Sequence, residues 1–165
     1  MAVGVRRTTM TDVARRADVS RMTLYRRFPD VASLMQALMT REFSAIVAQV
    51  EHEVAALPTA RERLVTAAVE GVRRLARHPL YARILDVDPE LLLPYLTARL
   101  GAFQRLVVAA FERRVVEGQA DGSIAPGDPA RIAHAVELAL RGFALQPRAD
   151  ASRELAALLE GYLAP

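Results

Sequence analysis

Residues 9–28 read TMTDVARRADVSRMTLYRRF, and the fold follows from how this stretch is punctuated. Thr9-x-x-Asp12 is a capping-box pattern: the hydroxyl can serve an orphan backbone N–H while the acid reaches back. Val13, Ala14 and Ala17 then lie on one apolar face. Asp18-Val19 reads as a tight turn, with Asp tolerating a left-handed backbone better than most residues. Ser20 is a good N-cap for a second short helix, Arg21–Phe28, whose Leu24 and Phe28 face inward at i, i+4. Pro29 stops it. Helix, sharp turn, helix, with apolar positions only where the helices face each other, is the pattern of a helix-turn-helix. The outward positions of the second helix are Arg21, Met22, Thr23, Tyr25 and Arg26. Arg reaches guanine edges or phosphates, Thr offers a hydroxyl and a methyl, and a Tyr phenol suits a phosphate oxygen.

The charge distribution agrees. Residues 1–41 hold eight Arg and three acids, 8 − 3 = +5, while residues 42–165 hold the other 14 Arg and 16 acids, 14 − 16 = −2. Every basic residue is Arg. A basic head on a slightly acidic body points to a polyanion as the head's partner. A solvated charged face is the alternative reading of the same charges.

The chain of 165 residues fits one core, or a small head joined to a larger body. Helix formers dominate and period-2 alternation is hard to find, so the fold class is all-α. Asp30 caps a long helix carrying Leu34, Leu38, Ile46, Val50 and Val54, closed by Pro58 and roughly 40 Å long. It is the connector between head and body. Amphipathic helices follow over Thr59–His78 and Leu80–Val87. A long helix is expected from Pro89, with Leu92, Leu96, Leu100, Phe103, Val107 and Phe111 on one face. Gly118 to Asp128 reads as a loop. Pro129 opens a helix to about Gln146, and the last helix, about 151–163, is expected to bury Leu155, Leu158, Leu159 and Tyr162.

The segment 9–28 resembles the DNA-binding domain of the tetracycline-repressor (TetR) family. That pattern is a Thr-capped helix, then IA-x-x-AGVS-x-x-x-LY-x-x-F, then Pro and a long helix. Here it becomes Thr9, Val13-Ala14, Ala17-Asp18-Val19-Ser20, Leu24-Tyr25 and Phe28-Pro29, without gaps. The stretches DPELLLPYL (88–96) and GQADGSIAPGDP (118–129) are softer matches to the family's body. The resemblance implies a helix-turn-helix head (1–41, motif 9–28) and a helical ligand-binding and dimerisation body (42–165). It also implies a helix before Thr9, and the eight residues there are too few for it, so the first helix of the head is expected to be missing. Asp18 stands where the family has a turn glycine, and Val31 where it often has Lys.

The candidate DNA-binding set is Thr9, Thr11, Arg21, Met22, Thr23, Tyr25, Arg26 and Arg27. The candidate ligand-binding set is His78, Tyr81, Tyr95, Phe103 and Phe111; the bland alternative is plain core aromatics and, for His78, a cation at a helix C-terminus. Gly142 inside an apolar helix suggests a close helix approach at a dimer seam. His52, His78 and His134 lack metal-ligand spacing, cysteine is absent, and no Ser-His-Asp order or phosphate loop stands out, so no metal, cofactor or enzymatic activity is expected. No signal peptide is seen and no apolar stretch spans a bilayer, which fits a cytoplasmic protein with no membrane partner.

The expected function is a ligand-responsive regulator, most simply a repressor, that binds a palindromic operator on double-stranded DNA as a homodimer and responds to a small-molecule effector. The alternative is a dimeric ligand- or protein-binding module that has lost DNA recognition.

Overall fold

The computed structural model describes residues 8–87, 89, 101–146, 148 and 150–165. Among them are eight helices and no strand. The first two, α1 (Met10–Arg16) and α2 (Arg21–Arg27), form the helix-turn-helix. Thr9 Oγ1 accepts the Asp12 N–H at 3.1 Å and donates to the Asp12 carboxylate at 2.6 Å. The acid thus reaches back to the hydroxyl, where the capping-box pattern anticipated the backbone N–H. Asp18 turns the chain with φ 53°, the left-handed region expected of it. Ser20 Oγ accepts the Thr23 N–H at 3.0 Å and opens α2.

Asp30 and Ser33 form a full capping box at the start of α3 (Val31–Val54). The 24 residues of α3 give a rod about 36 Å long. It ends three residues before the expected position, as Leu57 N–H turns back to the Val54 carbonyl at 3.0 Å. The body continues with α4 (Ala60–Arg77), α5 (Pro79–Val87), α6 (Ala102–Ala120), α7 (Pro129–Leu145) and α8 (Ala151–Leu163). Helix α4 is the axis: it packs against all four other body helices and against α3, and its Leu64 and Ala68 are fully buried.

Four expectations are corrected here. The helix expected to run from Pro89 through Phe111 is interrupted, because Gly101 is extended (φ −66°, ψ 172°) and caps a new helix at Ala102. Leu92, Leu96 and Leu100 lie outside the described residues. Gly118 is not the start of a loop but a buried residue of α6. It lets Ile124 fold back: a Cβ there would stand 2.4 Å from Ile124 Cδ1. Ala17 is exposed rather than core, since it is the C-cap of α1 at the turn. In α8 the buried stripe is Leu155, Leu159 and Leu163, an i, i+4, i+8 row, which leaves Leu158 and Tyr162 half exposed on the flank.

The loop after α6 has a use that its turn residues alone do not announce. Asp121 Oδ2 accepts the Ala60 N–H at 2.9 Å and Ser123 Oγ accepts the Arg61 N–H at 3.2 Å. Orphan donors at the start of α4 are therefore satisfied from 61 and 62 residues away in sequence. A hydrogen bond from the Ser123 side chain to the Asp121 carboxylate holds that carboxyl below its ordinary value, and the Ala60 and Ser123 N–H groups add to the effect. Two separate apolar clusters result. Met10, Ala14 and Leu24 form the head core, with Val13, Phe28, Val31 and Leu34 packed on it. The body core begins at Met39 on the same α3. No helix among the described residues is long and apolar enough to cross a membrane.

Candidate functional site

The first site is the outer face of α2. Leu24 is 8% exposed and Phe28 packs beside it, which anchors the helix from behind. That leaves Arg21, Met22, Thr23, Tyr25, Arg26 and Arg27 in solvent. Met22 is 78% and Tyr25 49% exposed, an expense in apolar surface that a free monomer has no use for. Neither Arg21 nor Arg26 has an ion-pair partner among the described residues. The Arg27 guanidinium lies 5.9 Å from the centre of the Phe28 ring, so it also covers the head core. The Thr23 hydroxyl meets Ser20 Oγ at 2.8 Å. Thr9 donates its hydroxyl to Asp12 and caps α1, and Thr11 is half-buried. The face is thus a row of cationic and hydroxyl groups with apolar interruptions, suited to phosphates and groove edges.

The second site is a cavity of about 150 Å³ in the body. Its walls come from α3 (Met39, Phe43, Ile46), α4 (Ala67, Val72), α5 (Tyr81), α6 (Phe103, Phe111) and α7 (Leu140, Ala144). Of the five residues expected from sequence, Tyr81, Phe103 and Phe111 line it. His78 does not; its ring stands edge-on to Phe43 at 5.6 Å, against an aromatic that does. Tyr95 lies outside the described residues. Phe43 meets three rings edge-on, with Tyr81 at 5.9 Å and Phe103 at 5.7 Å besides His78. Burial pushes the Tyr81 phenol up to about 12.

Among the lining residues that sequence reasoning passed over is a buried acid. Glu137 is 3% exposed and faces Arg141 at 2.9 Å. Burial raises its pKa and Arg141 opposes that rise. The signal was available: Glu137 shares the helical face of Ala133, Leu140 and Ala144, where every other residue is apolar, and Arg141 follows at i+4.

Helix α3 belongs to both sites. Its Val31 and Leu34 pack on the head core, and its Met39, Phe43 and Ile46 wall the cavity. Its far end is tied to the body by Glu51–Arg114 at 2.8 Å and Glu53–Arg74 at 2.6 Å.

The chain is similar to known proteins over most of its length. Residues 1–38 match the model for bacterial regulatory proteins of the tetR family. An uncharacterized HTH-type transcriptional regulator of Mycobacterium bovis is 33% identical, over 97% of this chain and 86% of that protein. Among solved structures, the TetR family repressor AlkX from a Dietzia strain, implicated in biodegradation of n-alkanes, superposes with a TM-score of 0.71 at 21% identity, over 97% of this chain and 84% of that one. The repressor QsdR of R. erythropolis does so with a TM-score of 0.71 at 14% identity, over 93% and 83%. These relatives are transcriptional regulators, not enzymes.

Proposed function

Because the chain belongs to the TetR family of bacterial regulatory proteins and is therefore a DNA-binding regulator of transcription, we propose that it is a ligand-released repressor acting as a homodimer on a palindromic operator. In this reading residues 1–41 are the DNA-binding head and 42–165 the effector-binding and dimerisation body. The observation that carries it is the double membership of α3. One uninterrupted helix touches the head core at one end and a preformed apolar cavity in its middle, while ion pairs fix its other end.

Arg21, Met22 and Thr23 read base edges at the start of the recognition helix, and Tyr25, Arg26 and Arg27 meet phosphates, with Thr9 and Thr11 at the start of α1 beside them. Tyr81, Phe103 and Phe111 contact the effector. A molecule seated against Phe43 shifts α3 about its anchored end, moves the head, and so changes the spacing of the two heads in a dimer. AlkX and QsdR, both described as repressors, lend support to repression.

The dimer seam falls on α7 and α8, which pair into a four-helix bundle. Leu138, Leu158 and Tyr162 are about half exposed there. A Cβ at Gly142 would meet nothing within 4 Å among the described residues, which leaves room at this glycine for a partner's helix. Two recognition helices of such a dimer enter successive major grooves roughly 34 Å apart.

Sedimentation combined with DNase footprinting of the DNA upstream of the gene tests the reading. A dimer protecting two half-sites one helical turn apart is the expected result. A monomer, or a dimer that protects nothing, contradicts it; the latter is the behaviour of a module that no longer reads DNA.

A further inference from the structure

Glu137 is the only buried charged residue among the described residues, and it sits on the α7 wall of the cavity. Its Oε2 lies 2.9 Å from Arg141 Nη2, a charge contact, yet makes no directed hydrogen bond. A carboxylate accepts several hydrogen bonds, so Glu137, buried on the cavity wall with Arg141 beside one oxygen, keeps acceptor capacity for a donor that arrives from outside.

The charges around the cavity settle which kind of donor. Arg141 is already compensated by Glu137. The other charged lining residue, Glu51, is already paired with Arg114 at 2.8 Å. The rest of the polar lining, Gln36, Thr40, Tyr81 and Gln104, supplies dipoles but no countercharge. A carboxylate entering here would be buried beside two acids with no unspent cation. An ammonium would add a second positive charge next to Arg141. Either one costs far more than a neutral group. A volume of about 150 Å³ is comparable to a cavity that admits a benzene-sized molecule.

We propose that the cavity takes a small, uncharged, largely apolar molecule whose hydroxyl group donates a hydrogen bond to Glu137. The proposal rests on the effector-cavity reading given above and adds to it the polarity and charge of the effector.

The test is a chemical-shift titration of the full chain with four probes of equal length: 1-hexanol, pentyl methyl ether, hexanoate and hexylamine. Hexanol binds about tenfold or more tighter than each of the others, because only it is both neutral and a donor. In Glu137→Gln, which keeps the shape but leaves Arg141 without its counterion, hexanoate gains about tenfold over its binding to the unaltered protein. If the ether, hexanoate or hexylamine binds the unaltered protein as tightly as hexanol, the proposal is overturned while the cavity reading stands. If none of the four binds, both fall together.

Discussion

At the scale of single residues, two backbone positions make sharp demands. Asp18 holds φ 53° between α1 and α2. Left-handed backbone costs an ordinary L-residue about 1–2 kcal/mol and a glycine almost nothing. Asp18→Gly should therefore leave stability unchanged or raise it, and Asp18→Val should lower it by about 1–2 kcal/mol, read by urea unfolding. Gly118 is constrained by space instead. Gly118→Ala forces the new methyl into Ile124 and should cost about 1–3 kcal/mol in the same assay. The Asp18 turn was legible because its chemistry is local, with Ser20 capping the next helix. The close approach at Gly118 was not, since it depends on where Ile124 returns in space. Tyr81 carries a titration of its own. Its folded value, about 12, lies above the ordinary 10.0, so its contribution is intact below pH 10 and is lost as pH rises through about 12. Absorbance titration of the phenols should show a late-ionising component that disappears in Tyr81→Phe.

Among the elements, α3 carries a full capping box at the end that packs on the head core. Asp30 Oδ1 accepts the Ser33 N–H at 2.7 Å, and the Asp30 N–H donates to the Ser33 hydroxyl at 3.3 Å. Asp30→Ala should cost about 1 kcal/mol and loosen the head first, as local loss of amide protection over residues 30–34. The Ser33 backbone N–H holds the Asp30 carboxyl below its ordinary value of 3.8. A depressed folded value means that the cap's contribution is full above pH 3.8 and fades as pH falls through the lower folded value. The caps at Thr9, Ser20 and Asp30 were readable because each is a polar residue one step ahead of an apolar-periodic run. The break at Gly101 was not. Leu100, Phe103 and Val107 keep helical spacing in the sequence, and periodicity cannot place a helix start inside an unbroken apolar pattern.

In the proposed reading the whole molecule joins a head that reads DNA to a body that senses. The head was legible from one 20-residue stretch, since a helix-turn-helix is built almost wholly from neighbours in sequence. The cavity was legible only in part. Tyr81, Phe103 and Phe111 could be picked as aromatics, but Met39 and Phe43 of α3 and the buried Glu137 enter it through tertiary packing. If α7 and α8 form the seam, Leu158→Asp with Tyr162→Ser should convert the dimer to monomer and abolish operator binding, while leaving the helical signal in circular dichroism intact.

The most direct test of the central claim, that α2 is the recognition helix of a sequence-reading regulator, is fluorescence anisotropy. The DNA upstream of the gene is titrated at two salt concentrations against a scrambled duplex, with the unaltered chain, Arg26→Ala and Arg21→Ala. The account predicts selective, steeply salt-dependent binding. Arg26→Ala weakens it on every sequence and reduces the salt slope by about one per head, while Arg21→Ala erodes the preference for the upstream DNA. Equal affinity for both duplexes, or the same loss from both substitutions, would contradict it.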